Sequence, residues 1–256
     1  IEYSLAAETS DHRRAASPAA GAQSVTRAIA DEVRNVPFPF NESERSQQMQ
    51  WHYNNTGNIF AQTSQLGADA NVYAAWQLST GNPDVIVAVV DQGVKYDHED
   101  LAANMWTNTA ELNGSEGRDD DSNGYADDIH GFNFVDNTTL TISTKGDAPD
   151  HGTHVAGTVA AVNNNGTGVA GIAGGSGKND GVKIMSCQIF HDKDGGDAAT
   201  SAKAIKYAAD NGAVICQNSW GDTFGEDGVF YISYYDTNIG THNCLLYTSP
   251  SPRDCS

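Results

Sequence analysis

Six apolar residues in a row, Val85 to Val90, lie between the turn formers Asn82, Pro83 and Asp84 and the segment Asp91-Gln92-Gly93. A strand without polar alternation must be covered on both faces, which parallel sheets flanked by helices achieve. Two further stretches fit the same role. Gly181 to Phe190 carries Val182, Ile184, Met185, Cys187 and Ile189, and Val214 to Cys216 begins a third buried strand. Helical patterns alternate with them. Asn71 to Ser79 fits a short amphipathic helix, and Ala198 to Asn211 fits a longer one with Ala202, Ile205, Ala208 and Ala209 on its apolar face and Gly212 closing it. Strands alternating with helices predict an α/β fold around a parallel sheet with right-handed crossovers.

The stretch Asp150-His151-Gly152-Thr153-His154-Val155-Ala156-Gly157 reads as a further helix, with Asp150 as its N-cap and Val155, Val159 and Val162 at helical spacing. Two glycines in a helix cost roughly 1 kcal/mol each relative to Ala, so close packing or a site is expected there. Asp91 stands at the C-terminal end of a central strand, where open α/β sheets place their sites. Taken alone, Asp91 reads as an Asp opening a turn and His151 as a satisfied core histidine. Taken together, a carboxylate can fix the tautomer of an imidazole and stabilise its charged form. The His151/His154 spacing of three lacks the Glu of a zinc-binding HExxH helix.

The 256 residues are 39% hydrophobic and 18% charged, with a formal net charge of −19. That balance excludes a nucleic-acid partner, which needs clustered Lys and Arg. It fits a secreted or cell-envelope protein, or one that binds a hard cation, although acidity for solubility alone is the plainer reading. Asp119-Asp120-Asp121-Ser122-Asn123-Gly124-Tyr125-Ala126-Asp127-Asp128 matches the first half of a calcium loop. Asp119, Asp121 and Asn123 would supply side chains, Tyr125 its carbonyl, and Asp127 a ninth-position ligand. His130 stands where the twelfth-position Glu would be, so a Ca2+ loop of a fold other than the EF-hand is expected. Of the four cysteines, Cys187 and Cys216 sit in apolar runs and read as buried thiols; Cys244 and Cys255 follow, and no zinc spacing is present. No apolar run reaches the roughly 18 residues of a membrane span. The chain starts at Ile1 rather than Met, so an upstream segment is expected to be missing.

Three segments together resemble the subtilisin-like serine proteases (subtilases): Val87-Ala88-Val89-Val90-Asp91-Gln92-Gly93-Val94, His151-Gly152-Thr153-His154-Val155-Ala156-Gly157-Thr158, and Asn218-Ser219-Trp220-Gly221. Gly166 to Gly171 fits the usual continuation of the second. The resemblance covers roughly residues 50 to 235. It implies a three-layer parallel-sheet α/β fold, incomplete at the C-terminus, and peptide-bond hydrolysis of protein or peptide substrates by an Asp-His-Ser triad. It also implies that Asp91 orients the imidazole, that His151 is general base and then acid, and that Ser219-Trp220-Gly221 pairs with extended substrate. Calcium binding, common in the family, agrees with the acidic loop.

The departures are specific. Gln92 follows the Asp where the family usually has Thr or Ser. No Ala-Gly-Asn segment supplies an oxyanion-hole Asn, and none of the serines after His151 lies in a Gly-Thr-Ser-x-Ala segment. The expected organisation is therefore a linker or pro-segment remnant at 1–46, the N-terminal portion of a catalytic domain at 47–240, and an out-of-place tail at 241–256. Such a chain is expected to be inactive as it stands, with its own pro-segment as a possible partner. The alternative is a non-catalytic calcium- or peptide-binding module on the same scaffold.

Overall fold

The computed structural model describes residues 37–59, 62–140, 150–191 and 197–220. Its organising element is β3 (Ile86–Asp91). Before it come α1 (Glu44–Met49), a small antiparallel pair of β1 (Asn58–Ile59) and β2 (Gln62–Thr63), and α2 (Val72–Trp76). After it follow α3 (Thr109–Leu112), β4 (Gly131–Asn133), β5 (Thr138–Thr139), α4 (Asp150–Ala160), β6 (Lys183–Gln188), α5 (Ala198–Asp210) and β7 (Ile215–Asn218). The five-stranded sheet has the order β5-β4-β6-β3-β7. Strands β4, β6, β3 and β7 run parallel, and β5 is antiparallel to β4.

Because side chains alternate along a strand, β3 divides its apolar run between two cores. Val87 and Val89 face Ala156 and Ala160 of α4, together with Leu101, Met105 and Ile184. Ala88 and Val90 face Ala204, Tyr207 and Ala208 of α5, together with Phe132, Phe134, Met185 and Cys187. Helix, sheet and helix make the three layers that the sequence predicts. A third cluster packs Tyr53, Val72, Trp76 and Ala170 with Phe38, Phe40 and Tyr73. Packed structure therefore includes residues from Phe38 onward; residues 1–36 and the tail 241–256 lie outside the described residues.

Three local expectations change. The buried face of α5 is Ser201, Ala204, Tyr207 and Ala208; of the four residues expected there, Ala208 is buried, Ala202 and Ile205 are half-buried and Ala209 is exposed. The cause is Tyr207, whose ring packs against Tyr125 and Phe134 and draws the helix round. Strand β7 is not buried: Val214 is 70% and Ile215 51% exposed. It pairs with β3 on one side only and is the outermost strand among the described residues. Cys216, carried on β7, is accordingly exposed, whereas Cys187 on β6 is buried.

Candidate active site and acidic loop

Asp91 ends β3, and His151 lies in the first turn of α4, which packs across that strand. Their side chains meet: His151 Nδ1 is 2.8 Å from Asp91 Oδ1. The carboxylate is 1% exposed and the imidazole 53%. An ionised carboxylate only accepts, so Nδ1 carries the proton and donates it to Asp91. Nε2 is left with its lone pair, the protonation state that a general base needs. The main-chain N–H of Gln92 also donates to Asp91 Oδ1, at 2.7 Å. The second oxygen, Oδ2, is buried with no hydrogen-bond partner among the described residues.

Trp220 lies across the same strand end. Its indole Nε1 donates to the carbonyl of Val90 at 2.8 Å, and its ring meets Phe190 edge-on. Ser219 accepts from Gln217 Nε2 at 2.5 Å. Both follow β7 directly, so Trp220 borders the Asp91–His151 pair; Gly221 lies outside the described residues. Asp91, His151 and His154 do not form a metal-ligand group: the one such group among the described residues lies elsewhere.

That group is Glu111, Asp121 and Asp128, whose carboxylate oxygens lie within 4.8 Å of one another. Of the three carboxylates that loop spacing singles out, Asp121 belongs to it and Asp119 and Asp127 do not. The Asp119 carboxylate accepts from the N–H groups of Asn123 and Gly124, and that of Asp127 from Gly117. The Asn123 amide donates to Asp121 and Asp128, while its carbonyl accepts from the N–H of Tyr125. His130 is turned to the carbonyl of Trp106. Glu111 and Asp128 escape a reading by spacing because one comes from α3 and the other holds the tenth position of the loop, which is not a ligand position of the pattern. What identifies them is burial, a tertiary property.

Asp128 ties the loop to the core. It accepts from Asn108 Nδ2 at 2.7 Å, Asn123 Nδ2 at 2.9 Å and the Tyr207 hydroxyl at 2.6 Å. Burial raises its pKa above the usual carboxylate value, the nearby Asp121 adding to this against the three donors. Burial and the charge of Asp128 hold the Tyr207 hydroxyl well above the usual tyrosine range, so it stays a donor. Replacing Tyr207 with Phe should cost about 1–2 kcal/mol by leaving a buried oxygen short of a partner. Urea unfolding of the two chains measures the difference.

A second pair of buried carboxylates, Glu42 and Asp100, surrounds the 163–170 loop. Asp100 accepts from Asn165 Nδ2 at 2.8 Å and from the N–H of Val169 at 2.9 Å. Glu42 accepts from the N–H of Asn164 through one oxygen, and its Oε2 is buried without a partner among the described residues. Burial raises both pKa values, and the Asp100 charge raises that of Glu42 further. A buried, unpartnered carboxylate oxygen beside a second carboxylate suits an oxygen-seeking cation. Sequence reading passed over Glu42 because it lies in the segment assigned to the linker.

A family model described as the subtilase family (peptidase S8) matches residues 82–245. Subtilisin-like protease 1 of Plasmodium berghei is 38% identical over 134 residues, covering 52% of this chain and 21% of that protein. The halolysin-like extracellular serine protease Nep of Natrialba magadii is 36% identical over 151 residues, covering 59% and 23%. Thermitase of Thermoactinomyces vulgaris is 32% identical over 167 residues, covering 65% and 48%. The chain thus spans about a fifth to a half of the length of these relatives. No helix among the described residues is long and apolar enough to cross a membrane.

Proposed function

The chain belongs to the subtilase family, and from that premise we propose that it carries two of the three catalytic residues of a serine endopeptidase. Asp91 orients the imidazole, and His151 acts as general base toward a serine hydroxyl and then as general acid toward the leaving amine. The observation that carries this reading is the 2.8 Å contact between His151 Nδ1 and a buried carboxylate at the end of a central strand. Desolvation keeps that contact strong, and the carboxylate stabilises the imidazolium formed when the serine proton is taken up.

The substrate is a protein or peptide. Its extended backbone pairs along Ser219-Trp220-Gly221, where β7 leaves the sheet beside the catalytic pair. Calcium is the proposed structural ion. Glu111, Asp121 and Asp128 would hold it at the acidic loop, with Asp119, Asn123, Asp127 and the Tyr125 carbonyl shaping that loop around them. Glu42, Asp100 and Asn165 offer a second place. Secretion is proposed from the acidic composition and from the extracellular relative of Natrialba magadii.

No serine of the 256 residues follows His151 in a Gly-Thr-Ser-x-Ala segment. The chain by itself is therefore proposed not to hydrolyse peptides, since an Asp–His pair without a hydroxyl has nothing to activate. Incubation with an unfolded protein substrate and with a serine-directed phosphonate tests this. The expected result is neither cleavage nor labelling. Labelling that disappears in His151→Ala would show that a serine of this chain is activated after all and would overturn the proposal.

A further inference from the structure

Gln92 is the first residue after β3, where Thr or Ser is expected from the resemblance. It touches both members of the catalytic pair. Its main-chain N–H donates to Asp91 Oδ1 at 2.7 Å, and its side-chain Oε1 accepts from the main-chain N–H of His151 at 3.3 Å. The His151 imidazole returns to the same Asp91 oxygen at 2.8 Å. Three hydrogen bonds thus close a loop from the carboxylate, through Gln92, to the backbone of His151 and back through its ring. The His151 N–H belongs to the first turn of α4, whose N–H groups have no partner inside the helix and need one from outside. Gly93, at φ +99°, turns the chain directly after Gln92, a conformation that glycine adopts without strain.

We propose that Gln92 is a positioning residue: its side-chain amide fixes the start of α4 against the end of β3 and so holds the imidazole at the carboxylate. This inference rests on the reading of Asp91 and His151 as orienter and base. Few other hydrogen bonds among the described residues hold the pair. Asp91 Oδ2 has no partner among the described residues, so the two bonds at Oδ1 set the orientation of the carboxylate. The neighbouring tie between α4 and this turn, from the N–H of Lys95 to Thr153 Oγ1 at 2.9 Å, constrains Thr153 and leaves the His151 backbone to Gln92.

The test uses the whole 256-residue chain with ¹⁵N-labelled histidine and backbone, reading solvent exchange of the His151 Nδ1–H and main-chain N–H by NMR. Gln92→Met keeps the length of the side chain and removes the acceptor. Both protons should then exchange about fivefold faster or more, as loss of one hydrogen bond implies, while the melting curve stays cooperative. Gln92→Glu restores the acceptor and should return both rates. A purely structural role would lower the melting temperature without singling out the Nδ1–H. If Gln92→Met unfolds the chain, Gln92→Asn, which is polar but too short to reach, is read in its place. Rates within about twofold of the parent in the folded variant would overturn the proposal. Asp91→Asn separates the two levels. If it leaves the Nδ1–H unchanged, the pair itself is wrong; if it abolishes that signal while the Gln92 variants do not alter it, only the positioning role falls.

Discussion

Replacing Gly152 with alanine is expected to lower the melting temperature by about 4–8 °C, whereas the same change at Gly157, in the same helix, should raise it by about 1–4 °C. The sequence treats the two glycines alike, as a cost to α4 that close packing explains. The structure separates them. A Cβ at Gly152 would lie 2.0 Å from the carbonyl oxygen of Gly93, whereas at Gly157 nothing lies within 4 Å. The obstacle at Gly152 is main chain, so no rotamer change relieves it and α4 must retreat from β3. Such overpacking costs roughly 3 kcal/mol, well above the approximately 1 kcal/mol that alanine gains over glycine in a helix. Retreat of α4 also stretches the contact between His151, the adjacent residue, and Asp91. The Nδ1–H of His151 should therefore be lost in Gly152→Ala and kept in Gly157→Ala. Calorimetry and NMR of both variants check the two signs; a stabilising Gly152→Ala would mean that the helix does not sit this close to the strand.

That contrast shows how far sequence reached. Val85 to Val90 announced a doubly covered strand because burial on both faces leaves no polar alternation, and the placement of Asp91 and His151 followed from where strands end and helices begin. Strand β4 went unread, since three residues carry no periodicity. Its Phe132 and the following Phe134 reach the core through tertiary contact. The exposed state of Ile215 and Cys216 was equally hidden, because an apolar run specifies a strand without saying what covers it. Tyr207 defeated the helix-face reading for a related reason. A tyrosine scores as amphipathic in sequence, but here its ring fills the core while its hydroxyl satisfies Asp128.

The acidic loop shows the same limit in its electrostatics. Spacing finds oxygen donors along one segment, but cannot tell which carboxylates converge in space. Asp119 and Asp127 accept from loop N–H groups, and so does Glu111 from those of Asp120, Asp121 and Asp127, yet among the described residues it is Glu111, Asp121 and Asp128 whose oxygens come together. The distinction matters because converging carboxylates repel one another when ionised, and burial strengthens that repulsion.

Calcium should therefore raise the melting temperature by about 5–10 °C at a hundredfold excess over its dissociation constant, where binding contributes about 2.7 kcal/mol. Glu111→Gln together with Asp121→Asn should remove most of the rise, and Glu42→Gln should remove any share held at the second carboxylate pair. The pH dependence carries a sign. Glu42, Asp100 and Asp128 have pKa values raised above those of the unfolded chain, with burial as the leading cause in each. A raised carboxylate stabilises the fold in its protonated form. That contribution is complete below the unfolded value near 4 and is lost as pH rises through the folded value. Asp180 and Asp197, with pKa values lowered chiefly by N–H donors from Ser176 and Thr200 respectively, act below that window, losing their contribution only as pH falls through their folded values. In chelator, these three carboxylates should therefore lower the melting temperature as pH rises above about 4, with His52, whose pKa burial lowers, acting in the opposite sense. Saturating calcium favours the ionised carboxylates and should flatten or reverse that slope. Thermal melts across this range with and without calcium decide the matter. An unchanged slope would place calcium away from the buried carboxylates, and a slope rising with pH in chelator would mean that these carboxylates are stabilised in their ionised form without any metal.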